Sequence, residues 1–172
     1  MVNKGLIEKL QNIKLIATDC DGVLTDGGLY YTEDGIEFKK FNVLDGMGFV
    51  LLKEYGVKTA IITGENNKLV ENRAKRIQVD YLFMGTKDKI GVLTKICNEL
   101  EIDLSEAVYI GDDIIDIPAI EKSGVGVVPS GALDYVQAKA DYITKRTGGN
   151  GCFREIADMI INAKENSMEC NV

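Results

Sequence analysis

The side chains in this sequence best suited to chemistry are carboxylates at particular spacings. Asp19 and Asp21 flank Cys20 in the run Asp19-Cys20-Asp21-Gly22-Val23. Asp112 and Asp113 follow Gly111, and Asp116 comes three residues after Asp113. Between the two groups stand Thr63-Gly64 and Lys89. Acids gathered at one place repel each other unless a divalent cation sits among them. A hard cation with oxygen ligands that reaches for phosphate is magnesium. One carboxylate can then attack phosphorus and form an aspartyl-phosphate. A second can protonate the leaving oxygen and afterwards activate water. Threonine and lysine supply a hydrogen bond and a positive charge to the phosphoryl oxygens.

Taken singly, each residue has a plainer explanation. Aspartates after strands form turns or cap helices. Thr63 alone would cap a helix, and Lys89 alone would be solvated on a helix surface. The four groups together, in order and each at the end of a strand, are hard to explain as coincidence. Cys20, between the two acids, is expected to pack in the core.

Composition removes the competing chemistries. The chain has no histidine, which excludes Ser-His and Cys-His nucleophiles. Its four cysteines, Cys20, Cys97, Cys152 and Cys170, show no Cys-x-x-Cys spacing, so a zinc site is not expected. A net charge of -7 argues against a nucleic-acid partner. No apolar run approaches the roughly 18 residues of a membrane span, and no signal pattern opens the chain. A cytoplasmic protein with reduced thiols is the expectation. At 172 residues, 45% of them hydrophobic, the chain is long enough for one three-layer domain.

Strands alternating with helices must position these residues. Lys14–Thr18 is a short apolar run ending at acids, as a buried parallel strand would. Thr32-Glu33-Asp34-Gly35 separates Leu29–Tyr31 from Ile36–Phe41 and reads as a hairpin turn. A helix is expected over Asp45–Tyr55, closed by Gly56, then a strand over Val57–Ile62. Asn67–Ile77 is helical with Val70, Ala74 and Ile77 on one face, and Tyr81–Phe83 is a strand. Asp88 caps a helix that carries Ile90, Leu93, Ile96, Cys97 and Leu100 at helical spacing. Ala107–Ile110 and Gly124–Val128 are strands with a short helix between them, and Tyr142-Ile143 adds a last short strand. The final helix runs from about Cys152 to Ala163. The domain is expected over residues 1–164, with residues 165–172 a frayed polar tail. The fold class is α/β, a doubly wound parallel sheet with a small hairpin insertion and no separate cap. In such sheets the site lies beyond the carboxyl ends of the strands.

These residues resemble the haloacid dehalogenase superfamily of phosphohydrolases. The resemblance covers roughly Leu15 to Ile160 and rests on Asp19-x-Asp21-Gly22-Val23-x-Thr25-Asp26-Gly27, Thr63-Gly64, Lys89 and Gly111-Asp112-Asp113-x-x-Asp116. The Val-x-Thr-Asp-Gly extension and the late Gly148-Gly149-x-Gly151-x-x-Arg154-Glu155 are narrower. They resemble the capless branch acting on phosphates of 3-deoxy-2-keto sugar acids. The resemblance implies that Asp19 is the nucleophile, Asp21 the general acid/base, and Thr63 and Lys89 the phosphoryl binders. It implies Mg2+ held by Asp19, the Asp21 carbonyl and Asp112, with Asp113 and Asp116 in support. It further implies a homotetramer in which the Leu29–Phe41 hairpin packs against neighbours and a neighbouring subunit covers the pocket. Glu65 after Thr63-Gly64, with Arg73 and Arg76 on the next helix, resembles the phosphatases of nine-carbon acids. The expected substrate is therefore a nonulosonate 9-phosphate, held through Thr63, Gly64, Glu65, Arg73, Arg76 and Lys89. The alternative is 3-deoxy-D-manno-octulosonate 8-phosphate. Two readings from other classes are a signalling receiver domain and a non-catalytic interaction module. A receiver has no need of an acid two residues past its phosphorylated aspartate, so Asp21 favours turnover.

Overall fold

The computed structural model describes residues 4–169. Helix α1 (Lys4–Gln11) leads into β1 (Leu15–Thr18), after which β2 (Tyr30–Tyr31) and β3 (Glu37–Phe38) form a hairpin arm. There follow α2 (Val43–Glu54), β4 (Lys58–Ile62), α3 (Lys68–Ile77), β5 (Tyr81–Phe83) and α4 (Lys89–Glu99). The chain then continues through β6 (Ala107–Ile110), α5 (Ile117–Lys122), β7 (Val125–Val128), α6 (Asp134–Gln137), β8 (Tyr142–Ile143) and α7 (Cys152–Glu169).

Six strands make one parallel sheet in the order β5-β4-β1-β6-β7-β8. Strand β1 is central: Thr18 pairs with Ile61 of β4 on one side and Ile110 of β6 on the other. The chain after β1 and the chain after β6 therefore leave the same rim, where a crevice opens in open α/β sheets. All four residues of β1, β6 and β7 are buried, which is why each reads as an unbroken apolar run.

Alternate residues of β1 serve the two faces. Ile16 packs with Phe49 of α2, Ala74 of α3 and Phe153 and Ile160 of α7. Leu15 and Ala17 pack with Leu93 and Ile96 of α4 and Ala119 and Ile120 of α5. On the first face the rings of Phe49 and Phe153 stack at 4.0 Å between centroids, joining α2 to α7.

The hairpin forms where Asp34-Gly35 predicts it, with Tyr30 paired to Phe38 and Gly35 at φ +82°. Its strands are only two residues long. Tyr30, Tyr31 and Phe38 are exposed, so they are not core aromatics; Phe41 is half-buried against the core. Two expectations are corrected. Helix α2 begins at Val43, because the Asn42 side chain accepts the Leu44 N–H at 2.9 Å and caps it there. Helix α7 does not fray after Ala163 but continues to Glu169, held where Lys164 donates to the Gln11 carbonyl at 3.1 Å and Tyr55 hydrogen-bonds Glu165. Residues 170–172 of the expected tail lie outside the described residues. Helix α1, which the sequence reading leaves out, buries Leu6 and Leu10 against α7.

Candidate active site

The loop after β1 turns sharply at Gly22, whose φ is +76°. The turn brings Asp19 and Asp21 to the same cavity, although alternate residues of a strand would point to opposite faces. The cavity, about 290 Å³, is completed by Thr63, Gly64 and Glu65 beyond β4 and by Asp112 and Asp113 beyond β6. These are the residues the sequence places at the strand ends.

Lys89, the first residue of α4, lies beneath the cavity with its side chain fully buried. Its Nζ sits 2.9 Å from Asp19 Oδ1 and 3.0 Å from Asp116 Oδ1. Burial works against its charge, but the two carboxylates outweigh that and hold its pKa above the usual value. Asp116 is itself saturated. Its Oδ1 accepts from Lys89 and from the Tyr109 hydroxyl at 2.6 Å, and its Oδ2 accepts the N–H groups of Asp112 and Asp113, each at 3.2 Å. Asp116 thus serves as the anchor for Lys89.

Asp19 Oδ1 also accepts the Cys20 N–H at 2.6 Å. Its other oxygen has no hydrogen-bond donor among the described residues. Thr63 is buried, and its Oγ1 accepts the Glu65 N–H at 3.1 Å, which leaves its own proton to give. Burial pushes the Cys20 thiol far above its ordinary range, with Asp21 and Asp19 adding to the effect, so this cysteine is packing and not a nucleophile.

Ligand atoms of Asp19, Asp112 and Asp116 lie within 4.8 Å of one another. Burial, Asp19, Asp116 and Asp113 push the Asp112 carboxyl up to about 7. Burial and Asp116 push Asp19 up to about 6 against the pull of Lys89. Two acids raised by confinement are a site that a cation would relieve. Since Asp116 is spent on Lys89, Tyr109 and two N–H groups, the free carboxylate oxygens belong to Asp19 and Asp112. An all-oxygen donor set of this kind fits magnesium.

The sequence matches the haloacid dehalogenase-like hydrolase family over residues 68–156. It is 37% identical over 163 residues to the 3-deoxy-D-manno-octulosonate 8-phosphate phosphatase of Escherichia coli strain K12, covering 95% of this chain and 87% of that one. The chain belongs to the haloacid dehalogenase-like hydrolases. It falls in their capless branch and is a phosphoric monoester hydrolase, which displaces the receiver and interaction-module readings. Among solved structures, this hydrolase superposes on the octulosonate 8-phosphate phosphatase of Moraxella catarrhalis, crystallised with magnesium ion, phosphate ion and KDO, with a TM-score of 0.91. That pair is 39% identical, with 95% of each chain covered. The cobalt-bound enzyme of Haemophilus influenzae gives a TM-score of 0.87 at 34% identity, covering 92% of this chain and 93% of that one.

The late glycines of this hydrolase acquire a physical reason. A Cβ on Gly148 would stand 1.9 Å from the Gly22 carbonyl oxygen, and one on Gly149 would stand 2.4 Å from the Asp26 N. With the Gly149 N–H donating to the Val23 carbonyl at 2.9 Å, the segment buttresses the Asp19–Asp26 loop backbone to backbone. Buried Asp45 accepts the N–H groups of Gly151 and Arg154 at 3.2 and 3.1 Å and starts α7 there.

Two expected substrate residues are not brought to the cavity. Arg73 is half-buried, donates to the Asn42 carbonyl at 2.7 Å and lies 5.5 Å over the Phe41 ring, where it ties α3 to the start of α2. Arg76 is exposed and does not line the cavity either. Conversely, Lys39 on the hairpin arm meets Asp21, a contact that no spacing in the sequence signals.

Proposed function

We propose that this hydrolase is a magnesium-dependent phosphatase of a 3-deoxy-2-keto sugar acid, and that its substrate is 3-deoxy-D-manno-octulosonate 8-phosphate. The observation that carries this reading is the convergence of Asp19, Asp21, Asp112 and Thr63 on one cavity above Lys89. It occurs in a chain that aligns over 95% of its length with enzymes named for that phosphate. The nine-carbon alternative keeps Glu65, which lines the cavity, but loses the support of Arg73, which is engaged elsewhere.

The chemistry follows from the positions of the side chains. The Asp19 carboxylate attacks phosphorus as the bond to the sugar oxygen breaks, and Asp21 gives the departing sugar oxygen its proton. Water then attacks the phosphoryl group, Asp21 takes up the proton, and the bond to Asp19 breaks to release phosphate. The Thr63 hydroxyl donates to a phosphoryl oxygen. Lys89 holds Asp19 in place and offsets negative charge. Asp19, Asp112 and the Asp21 carbonyl would hold magnesium, which would supply neutralising charge for the phosphoryl oxygens. The exposed aromatic hairpin is assigned to contact with a second copy of the chain in a homotetramer, which would also cover the cavity.

A phosphate-release assay with the eight-carbon 8-phosphate and a nine-carbon 9-phosphate tests the substrate. The expected result is a higher kcat/KM for the eight-carbon ester, abolished by chelation and by Asp21→Asn. A reversed ratio would transfer the assignment to the nonulosonate.

A further inference from the structure

The hairpin arm sends a single cation into the acid/base end of the site. Lys39 follows Phe38 in the chain, and the two behave in opposite ways: Phe38 is exposed, whereas the Lys39 side chain is only 4% exposed. Its Nζ donates to both oxygens of the Asp21 carboxylate, at 2.7 and 2.8 Å, and lies 3.5 Å from Glu37. Among the described residues one other side chain holds that carboxylate, Thr25, whose hydroxyl donates to Oδ1 at 3.0 Å from four residues away. Lys39 comes from 18 residues away and supplies the long-range tie. An antiparallel bridge between Thr25 and Phe41 seats the base of the arm beside it.

Ordering a lysine and withdrawing it from water costs side-chain entropy and solvation, which ordinary surface pairs do not recover. This lysine is nonetheless buried against a carboxylate that lines the cavity, while Lys39 itself does not line it. Lys89 holds Asp19 from the core side; Lys39 holds Asp21 from the opposite, hairpin side.

We infer that Lys39 is a positioning residue for catalysis, fixing the Asp21 carboxyl where the leaving oxygen will be, so that proton delivery depends on the seating of the hairpin arm. The inference rests on the role given to Asp21 above. It acts on one part of the reaction only. Transfer of phosphorus to Asp19 from an alkyl ester needs a proton on the departing oxygen, whereas an aryl ester with an acidic phenol departs without one.

Rapid-quench measurement of the first phosphoryl transfer to Asp19 separates the two cases. Lys39→Met and Lys39→Arg are each given a sugar acid phosphate and p-nitrophenyl phosphate. For Lys39→Met the expected loss on the sugar ester is about 100-fold, the lower end of general-acid contributions, and the loss on the aryl ester is far smaller. Lys39→Arg, whose guanidinium can donate to both carboxylate oxygens, recovers most of the sugar-ester rate. Equal losses on both esters would mean that Lys39 merely supports the fold, and no loss on the sugar ester would mean that it does nothing for Asp21; either result overturns the inference. Eight- and nine-carbon esters are both alkyl phosphates, so a wrong substrate assignment leaves this test intact.

Discussion

A Cβ placed on Gly22 would stand 1.9 Å from Asp112 Oδ2. The Asp19–Asp26 loop and the acid beyond β6 are therefore in contact through a hydrogen atom, and the cavity closes on that contact. Gly22→Ala has to move one of them, in addition to the roughly 1–2 kcal/mol that a side chain costs at positive φ. The expected outcome is a fall in kcat of about 100-fold or more, as for displacements near 1 Å at a reacting centre. Magnesium affinity, measured by calorimetry, should weaken together with turnover. Unchanged magnesium binding would show that Asp112 does not hold the ion.

Lys89 is buried between two carboxylates, and its removal strands both. Lys89→Met should destabilise the fold by about 3–5 kcal/mol, the range for breaking a buried pair from one side. Denaturant titration reads this directly. A double variant, Lys89→Met with Asp116→Asn, should recover part of the loss, because one of the stranded charges is gone. Turnover should stay low in both, since neither restores a cation beside Asp19.

The alternation of strands and helices is legible in the sequence because β1, β6 and β7 are unbroken apolar runs that stop at polar residues. The same feature marks the rim, which is how Asp19, Thr63 and Asp112 can be found without coordinates. Helix α1 escapes notice because its 8 residues, although amphipathic, are shorter than the roughly 11–18 residues over which helical periodicity is read. The extent of α7 depends on distant partners, Gln11 for Lys164 and Tyr55 for Glu165. Arg73 and Lys39 fail in opposite directions for one reason. Sequence places a charged side chain near a motif but does not tell which neighbour it will meet. Arg73 turns to the carbonyl of Asn42, 31 residues back, and Lys39 turns to Asp21 because the arm folds over it.

The exposed hairpin side chains Tyr31, Ile36 and Phe38 are followed in the chain by two further exposed apolar residues, Val43 and Met47. If a second copy covers this surface, Phe38→Asp should shift sedimentation from tetramer towards monomer. The far-UV spectrum should stay unchanged, since Phe38 contributes nothing to the core. Turnover should fall with the loss of assembly as the cavity becomes open to water. A wild-type chain that sediments as a monomer at micromolar concentration would end the tetramer assignment.

Confinement of Asp19 and Asp112 makes the stability of the metal-free chain depend on pH in an unusual direction. Their folded values, about 6 and about 7, lie above the ordinary 3.8. Between about pH 4 and pH 7 the folded chain therefore binds more protons than the unfolded one, and its stability falls as pH rises. The contribution is present below the unfolded value and is lost as the pH passes through 6 and then 7. Magnesium binds the ionised pair, so its effect should run the other way. At about one hundred times its dissociation constant, a ligand adds about 2.7 kcal/mol. In a chain of this size that is a rise in Tm of about 5–10 °C. Scanning calorimetry with and without magnesium should show that increment near pH 8 and little of it near pH 5. Asp112→Asn should remove most of the pH dependence in the metal-free chain and most of the magnesium increment with it. A magnesium increment that stays constant across that pH range would place the ion away from these two carboxylates.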